Sequence, residues 1–188
     1  MGTNATIHVE EGPVATKVAM TMEESLQAFA VCAACFIGEQ DIPYSEEFDG
    51  HDFGATHILA LVGSEPVGAV RLRWFQSFAM PERISVVQRH RGRGIARQLL
   101  EQCRQLAERR GCRMLYTQAP PRDVAAWERL GWRRLDTAAD EDDRGYVALA
   151  RPVDPAATPE AVPTPELLTL RPEPWLDRPA RPGRTEVN

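Results

Sequence analysis

Glu82-Arg83-Ile84-Ser85-Val86-Val87-Gln88-Arg89-His90-Arg91-Gly92-Arg93-Gly94-Ile95-Ala96 decides how the chain folds. Its first half is a short β-branched run that reads as a buried strand. Its second half places glycines at 92 and 94 directly before a helical pattern. The first N–H groups of such a helix have no intrahelical acceptor and carry partial positive charge. Glycine removes the Cβ that would hold an anion away. The product is a pyrophosphate cradle made of backbone. Arg89, Arg91, Arg93 and Arg97 crowd its rim, where guanidinium groups contact phosphate oxygens. The bland alternative is a solvated basic turn.

The spacing excludes two other phosphate cradles. A nucleoside-triphosphate loop needs Gly-Lys-Ser/Thr, and here Ile95-Ala96 follows Gly94. A dinucleotide fingerprint needs a third glycine at 97, where this chain has Arg, and an acidic residue at a later strand end.

On the far side of the turn, Ile95, Leu99, Leu100, Cys103, Leu106 and Ala107 share one face of a helix that Gly111 stops. Residues 113–118 read as a strand, 122–130 as a short helix ended by Gly131, and 132–136 with 145–151 as a terminal strand pair. Ahead of the quoted segment, 57–62 and 67–74 form a hairpin around Gly63-Ser64-Glu65-Pro66, with Gly68 marking a close approach or a bulge. The strand entering the turn spans 81–87. Residues 16–20 alternate as a strand, and 6–10 form a short edge strand. Thr21 and Glu24 make a capping box for a helix on which Leu26, Phe29, Ala30, Ala33 and Ile37 recur. Residues 38–56 are an acidic loop carrying Glu39, Asp41, Glu46, Glu47, Asp49 and Asp52.

This order predicts an α/β (α+β) domain with a single mixed, mostly antiparallel twisted sheet of about six or seven strands and helices on both faces. The expected division is an N-terminal extension (1–15), a folded domain (16–151) and a proline-rich tail (152–188). Nine of the 37 tail residues are proline and no apolar period survives there. Leu167, Leu168, Leu170, Trp175 and Leu176 can dock the tail on the body or on a second copy, so a homodimer through the tail is one expectation.

The 188 residues suffice to bury a core without disulfides or a structural metal. A net charge of -5 argues against nucleic acid as the main partner and suits a cationic acceptor such as an amine. Cys32 and Cys35 form one CxxC, but no second pair sits at metal-ligand spacing, and both fall in a helical pattern as small core residues. No metal is therefore expected. Nothing reads as a signal peptide or a membrane span, so a cytoplasmic protein with reduced thiols is expected. Met1-Gly2 with Thr6 fits a myristoylation pattern and Asn4-Ala5-Thr6 a glycosylation site; both match by chance often.

Arg89-x-x-Gly92-x-Gly94-Ile95-Ala96 resembles the cofactor motif Gln/Arg-x-x-Gly-x-Gly/Ala of the GNAT N-acetyltransferases. Glu82-Arg83-Ile84-Ser85-Val86 is similar to that family's fourth strand, and Trp127-Glu128-Arg129-Leu130-Gly131-Trp132 to its Tyr-Glu-Lys-Leu-Gly-Phe segment. Cys35 to Pro43, with Glu47-Phe48-Asp49 and His57, looks like the "VF-EQ-IP…E-D…H" block of a bacterial branch whose fold is shared with acyl-homoserine-lactone synthases. The likeness covers about residues 16–151.

The resemblance implies acetyl-CoA as cosubstrate, held in a V-shaped gap between the fourth and fifth strands. Ile84, Val86, Val87, Arg89, Arg91, Gly92, Arg93, Gly94, Ile95, Ala96 and Arg97 would form the cofactor site. The Val86 N–H would polarise the acyl carbonyl as an oxyanion-type donor. An acceptor amine attacks directly, so no nucleophilic cysteine is required. Glu82 is the first candidate for the base that takes the amine's proton. Its bland reading is a surface carboxylate or a partner of Arg83. His57 is a second candidate, more simply read as structural. Asp49 and Asp52 can bind a cationic acceptor, although an acidic loop is usually solvated.

Two positions depart from the family. Trp127 stands where many relatives carry the tyrosine that protonates the leaving thiolate, and an indole N–H is no practical acid. Tyr116 and Tyr146 are the alternatives, with Tyr116 preferred. Pro120-Pro121-Arg122 stands where an asparagine often touches the cofactor. These departures keep open a non-catalytic acyl-CoA-binding module, and the lactone-synthase kinship keeps open a longer-chain acyltransferase.

Overall fold

A computed structural model describes residues 12–76, 78–135 and 145–157. The sequence elements appear as β1 (Val14–Val18), α1 (Met22–Phe36), the one-turn α2 (Tyr44–Glu47), β2 (Thr56–Val62), β3 (Glu65–Trp74), β4 (Phe78–Val86), α3 (Ile95–Arg109), β5 (Met114–Ala119), α4 (Pro121–Arg129), β6 (Arg133–Arg134) and β7 (Val147–Pro152). The seven strands make one sheet in the order β1-β2-β3-β4-β5-β7-β6. Every neighbouring pair is antiparallel except β4–β5, which is parallel.

Alternation along the strands explains the layers. Ile58, Ala60, Val70 and Leu72 face α3 and pack on Ile95, Leu99, Leu100 and Cys103. Leu59 and Ala69, one residue out of phase, face α1 and pack on Ala28, Val31 and Cys32. The expected helices on both faces are thus present. α1 begins where its capping box puts it: Thr21 Oγ1 accepts from Glu24 N–H at 3.2 Å, and the Glu24 carboxylate accepts from the Thr21 N–H at 3.3 Å. Gly68 serves both expected purposes. The β2–β3 register shifts beside it, and a Cβ there would lie 3.0 Å from Ile95 Cγ2 and 3.1 Å from Ser85 O, so the α3 crossing requires glycine.

Several boundaries differ from the sequence reading. β1 starts at Val14 rather than 16, and β4 starts at Phe78 rather than 81. The terminal pair is narrower, with β6 reduced to two residues and β7 running to Pro152. The acidic loop holds the short α2 and a 3-10 turn at Asp52–Gly54. The expected strand at 6–10 and the tail from 158 onward lie outside the described residues.

Candidate active site

The parallel partners β4 and β5 stay together for a short distance only. Their register is Phe78↔Met114 and Ala79↔Leu115. One further link follows, from Thr117 Oγ1–H to Pro81 O at 2.8 Å. Beyond it β5 continues with β7 and β4 continues with β3, so the two strands part. A bulge in β4 lies just beyond the last link. Arg83 and Ile84 together oppose the single Val70, and Arg83 sits at φ 53°, the left-handed region that side chains rarely adopt.

The bulge also sets which way the backbone points. Val87 N–H donates to Val67 O at 3.0 Å. In an antiparallel ladder this turns the N–H and C=O of the preceding residue to the opposite edge. Val86 therefore presents its backbone groups toward the gap. Its carbonyl accepts from Arg91 Nε at 2.9 Å. Its N–H is turned toward the Cys35 sulfur. Ile84, Val86 and Val87 are half-buried, with their side chains against the core.

The glycine turn lies directly beyond. Gly92 and Gly94 have φ 79° and 76°, and a Cβ on either would meet nothing within 4 Å. Gly94 caps α3 in the left-handed conformation with no side chain capping the helix end. Gln98 N–H donates to Gly94 O at 3.2 Å. The amides that precede Gln98 on α3 thus point outward, as the cradle requires. Ile95 is buried in the core and anchors the turn, and Ala96 is half-buried beside it.

The rim arginines divide in two. Arg89 pairs with Glu65, and Arg91 bridges Val86 O and Glu39, the latter at 2.5 Å. Arg93 donates to His90 Nδ1 at 2.7 Å and to Gly12 O at 2.8 Å. His90 Nδ1 must therefore carry a lone pair, which puts its proton on Nε2, 3.9 Å from the Glu65 carboxylate. Arg97 is exposed and makes no ion pair among the described residues. It is the rim cation most available to a phosphate.

On the α1 side of the sheet lies a charged cluster that the sequence reading did not assemble. Arg71, only 3 % exposed, donates bidentately to Asp49 (2.8 and 2.9 Å), to Asp52 (3.1 Å) and through Nε and Nη2 to Glu82 (3.1 and 2.7 Å). Arg73 reaches Glu82 at 3.3 Å. Burial opposes the charge on Asp49, but the hydrogen bonds and charge of Arg71 outweigh it and hold its carboxyl far below the usual range. Burial likewise opposes the charge on Arg71, and Glu82 and Asp49 outweigh it in turn. Asp49 and Asp52 are therefore engaged with a protein cation rather than simply solvated. Glu82 pairs with Arg71 and Arg73, whereas Arg83 pairs with Glu47 (3.3 Å) and Asp49 (3.5 Å). The clue was available: Arg71 and Arg73 are charges at alternate positions in the buried part of β3.

Tyr116 shares that face. Its ring stands edge-on to Phe78, 5.0 Å away, and Phe78, Met80 and Glu82 alternate onto one side of β4. Burial raises the Tyr116 phenol above its ordinary value, which keeps its proton on. Trp127 packs on Trp132 at 5.0 Å among the residues on the α3 side. Tyr146 lies outside the strands, just ahead of β7. His57 reads as structural: Nε2 lies 3.0 Å from Asp52 O and the ring contacts Phe29. Cys32 and Cys35 are buried free thiols. Among the described residues no cluster of three or more His, Cys, Asp or Glu is placed to hold a metal, and no helix is long and apolar enough to cross a membrane.

Comparison with known proteins agrees with this fold. Residues 23–132 match the acetyltransferase (GNAT) family model. An uncharacterized N-acetyltransferase of Bacillus subtilis, YjcF, is 30 % identical over 118 residues, covering 63 % of this chain and 84 % of that protein. An acyl-CoA N-acyltransferase structure from Pseudomonas aeruginosa superposes with a TM-score of 0.64 at 21 % identity, covering 74 % of this chain and 99 % of that one. An aminoglycoside 6'-N-acetyltransferase complexed with coenzyme A superposes with a TM-score of 0.60 at 12 % identity, covering 78 % and 99 %. The family match spans most of the folded residues, from α1 through the segment after α4, and the chain belongs to the GNAT family of N-acetyltransferases.

Proposed function

We propose that this chain transfers an acetyl group from acetyl-CoA to a primary amine of a small molecule or peptide, by direct attack. The observation that carries the reading is the parting of β4 and β5, with Val86 N–H facing the gap beside an uncapped α3. The residues present fit coenzyme A. Gly92 and Gly94 leave room for a diphosphate, and the amides through Ala96 and the Arg97 guanidinium supply donors. Arg89, Arg91 and Arg93 would join only by exchanging their present partners.

The acyl carbonyl receives the Val86 N–H, a donor already oriented toward charge that grows in the transition state. Glu82, fixed by two arginines on the acceptor side, takes the amine's proton through water. Tyr116, a phenol that carries its proton at neutral pH, gives it to the departing thiolate. Trp127, half-buried against the core and with no acidic proton to give, leaves that role to another residue.

Purified protein titrated with acetyl-CoA and a panel of primary amines tests the proposal through thiol release. Release with at least one amine supports it. Thermal stabilisation by CoA without any release would identify a non-catalytic binding module instead. The absence of stabilisation would remove the reading entirely.

A further inference from the structure

Cys35 lies near the end of α1, tied through Arg91 to the end of β4 that borders the gap. The face of α1 turned toward the sheet consists of Ala28, Val31, Cys32 and Cys35. The two thiols have different surroundings. Cys32 Sγ sits 3.4 Å from Ser85 Oγ and 3.5 Å from Arg83 O, bound into the bulge. Cys35, one turn further and 2 % exposed, sits 4.0 Å from Arg91 Nη2, and the Val86 N–H is turned toward its sulfur. Arg91 in turn holds Val86 O. Arg91 thus ties the Cys35 sulfur to the Val86 backbone, next to the position that an acyl oxygen must take to receive the Val86 N–H.

We infer that Cys35 walls the acyl pocket beside Val86 and limits the length of the acyl chain. This rests on the reading that Val86 N–H binds the thioester. Cysteine carries one heavy atom beyond Cβ, so a small rotation of χ1 clears a carbonyl and a methyl but leaves a wall against longer chains. The thiol takes no covalent part. Burial raises its pKa, which suppresses the thiolate needed for attack. Removing the sulfur should extend the pocket, and a branched side chain should close it. One methylene against a rigid pocket changes affinity by about 10-fold or more.

Calorimetric titration of the full chain with CoA, acetyl-CoA, butyryl-CoA and octanoyl-CoA needs no knowledge of the acceptor. For the wild type, butyryl-CoA should bind at least about tenfold more weakly than acetyl-CoA. Cys35→Ala should bring butyryl-CoA to within about threefold of acetyl-CoA while leaving CoA unchanged. Cys35→Leu should lose acetyl-CoA by about tenfold and keep CoA. Retained CoA affinity shows in each case that the fold and the cofactor site are intact, and the alanine variant decides alone if the leucine variant does not fold. An identical chain-length profile in wild type and Cys35→Ala, with CoA still bound, overturns the inference. Failure of every protein to bind CoA removes the thioester reading beneath it, a distinguishable result.

Discussion

Replacing Arg71 by methionine keeps much of the side chain's bulk and removes its charge. The structure sets the consequence. Asp49, Asp52 and Glu82 would lose five hydrogen bonds and their shared cation at a buried position. Removing one partner of a buried ion pair costs about 3–5 kcal/mol, because the remaining charges stay buried without compensation. Each of the three carboxylates keeps about a fifth of its surface in water, so the lower end, about 3 kcal/mol, is expected. With a urea slope of about 2 kcal/mol/M, the unfolding midpoint should fall by about 1.5 M. In thermal melts of a chain of this length the same loss lowers Tm by about 6–12 °C. The deficit should also depend on pH. In the wild type the folded pKa of Asp49 is depressed, so its stabilising contribution is full above its unfolded pKa of about 3.9 and is lost as pH falls toward the folded value. In Arg71→Met the unpaired carboxylates gain by protonation, so the two stability curves should converge on acidification. A midpoint shift below about 0.3 M at pH 7, or a deficit independent of pH, would refute the reasoning that Arg71 organises this face.

Gly94→Glu puts a carboxylate into open space at the cradle. CoA affinity should fall at least about 100-fold while the circular dichroism spectrum stays native, since the backbone cost of a left-handed residue is only about 1–2 kcal/mol. Glu82→Gln should lower kcat by about 10²-fold or more with little change in CoA affinity, and steady-state rates with calorimetry separate the two effects. Tyr116→Phe should lower kcat in the same way with little change in CoA affinity; an unaltered kcat would return the thiolate's proton to water. His51, His57 and His90 all have folded pKa values lowered, with burial the largest cause in each. Their stabilising contribution is full above the unfolded value of about 6.5 and is lost as pH falls. Urea midpoints should therefore decline between pH 7 and 5, and a rise over that window would contradict the assignment.

The parts that the sequence made legible are those governed by local rules. The Thr21 capping box, the apolar period of α3 and the two glycines before it correspond to short-range requirements, and the structure shows each in place. The layers followed because strand alternation and helical period divide apolar residues between two faces. What stayed hidden depends on pairing across the sheet. The β4 bulge comes from Arg83 in a left-handed conformation, which no arginine advertises. The Arg71 cluster draws its carboxylates from 22, 19 and 11 residues away, and only the fold brings them together. Glu82, read first as the general base and more simply as a surface carboxylate or a partner of Arg83, is gripped by arginines of the adjacent strand. The place of Cys35 beside Val86 N–H was invisible for the same reason: the helix crossing, rather than the CxxC spacing, sets it.

Amide chemical shifts report the central geometry most directly. In a ¹⁵N-labelled sample titrated with coenzyme A, the N–H resonances of Gly92, Gly94, Ile95 and Ala96 should move downfield as phosphate oxygens accept from them. The Val86 resonance should then respond to acetyl-CoA beyond its response to CoA. Saturating CoA that leaves residues 92–96 unmoved, or acetyl-CoA that leaves Val86 indifferent, would contradict the account.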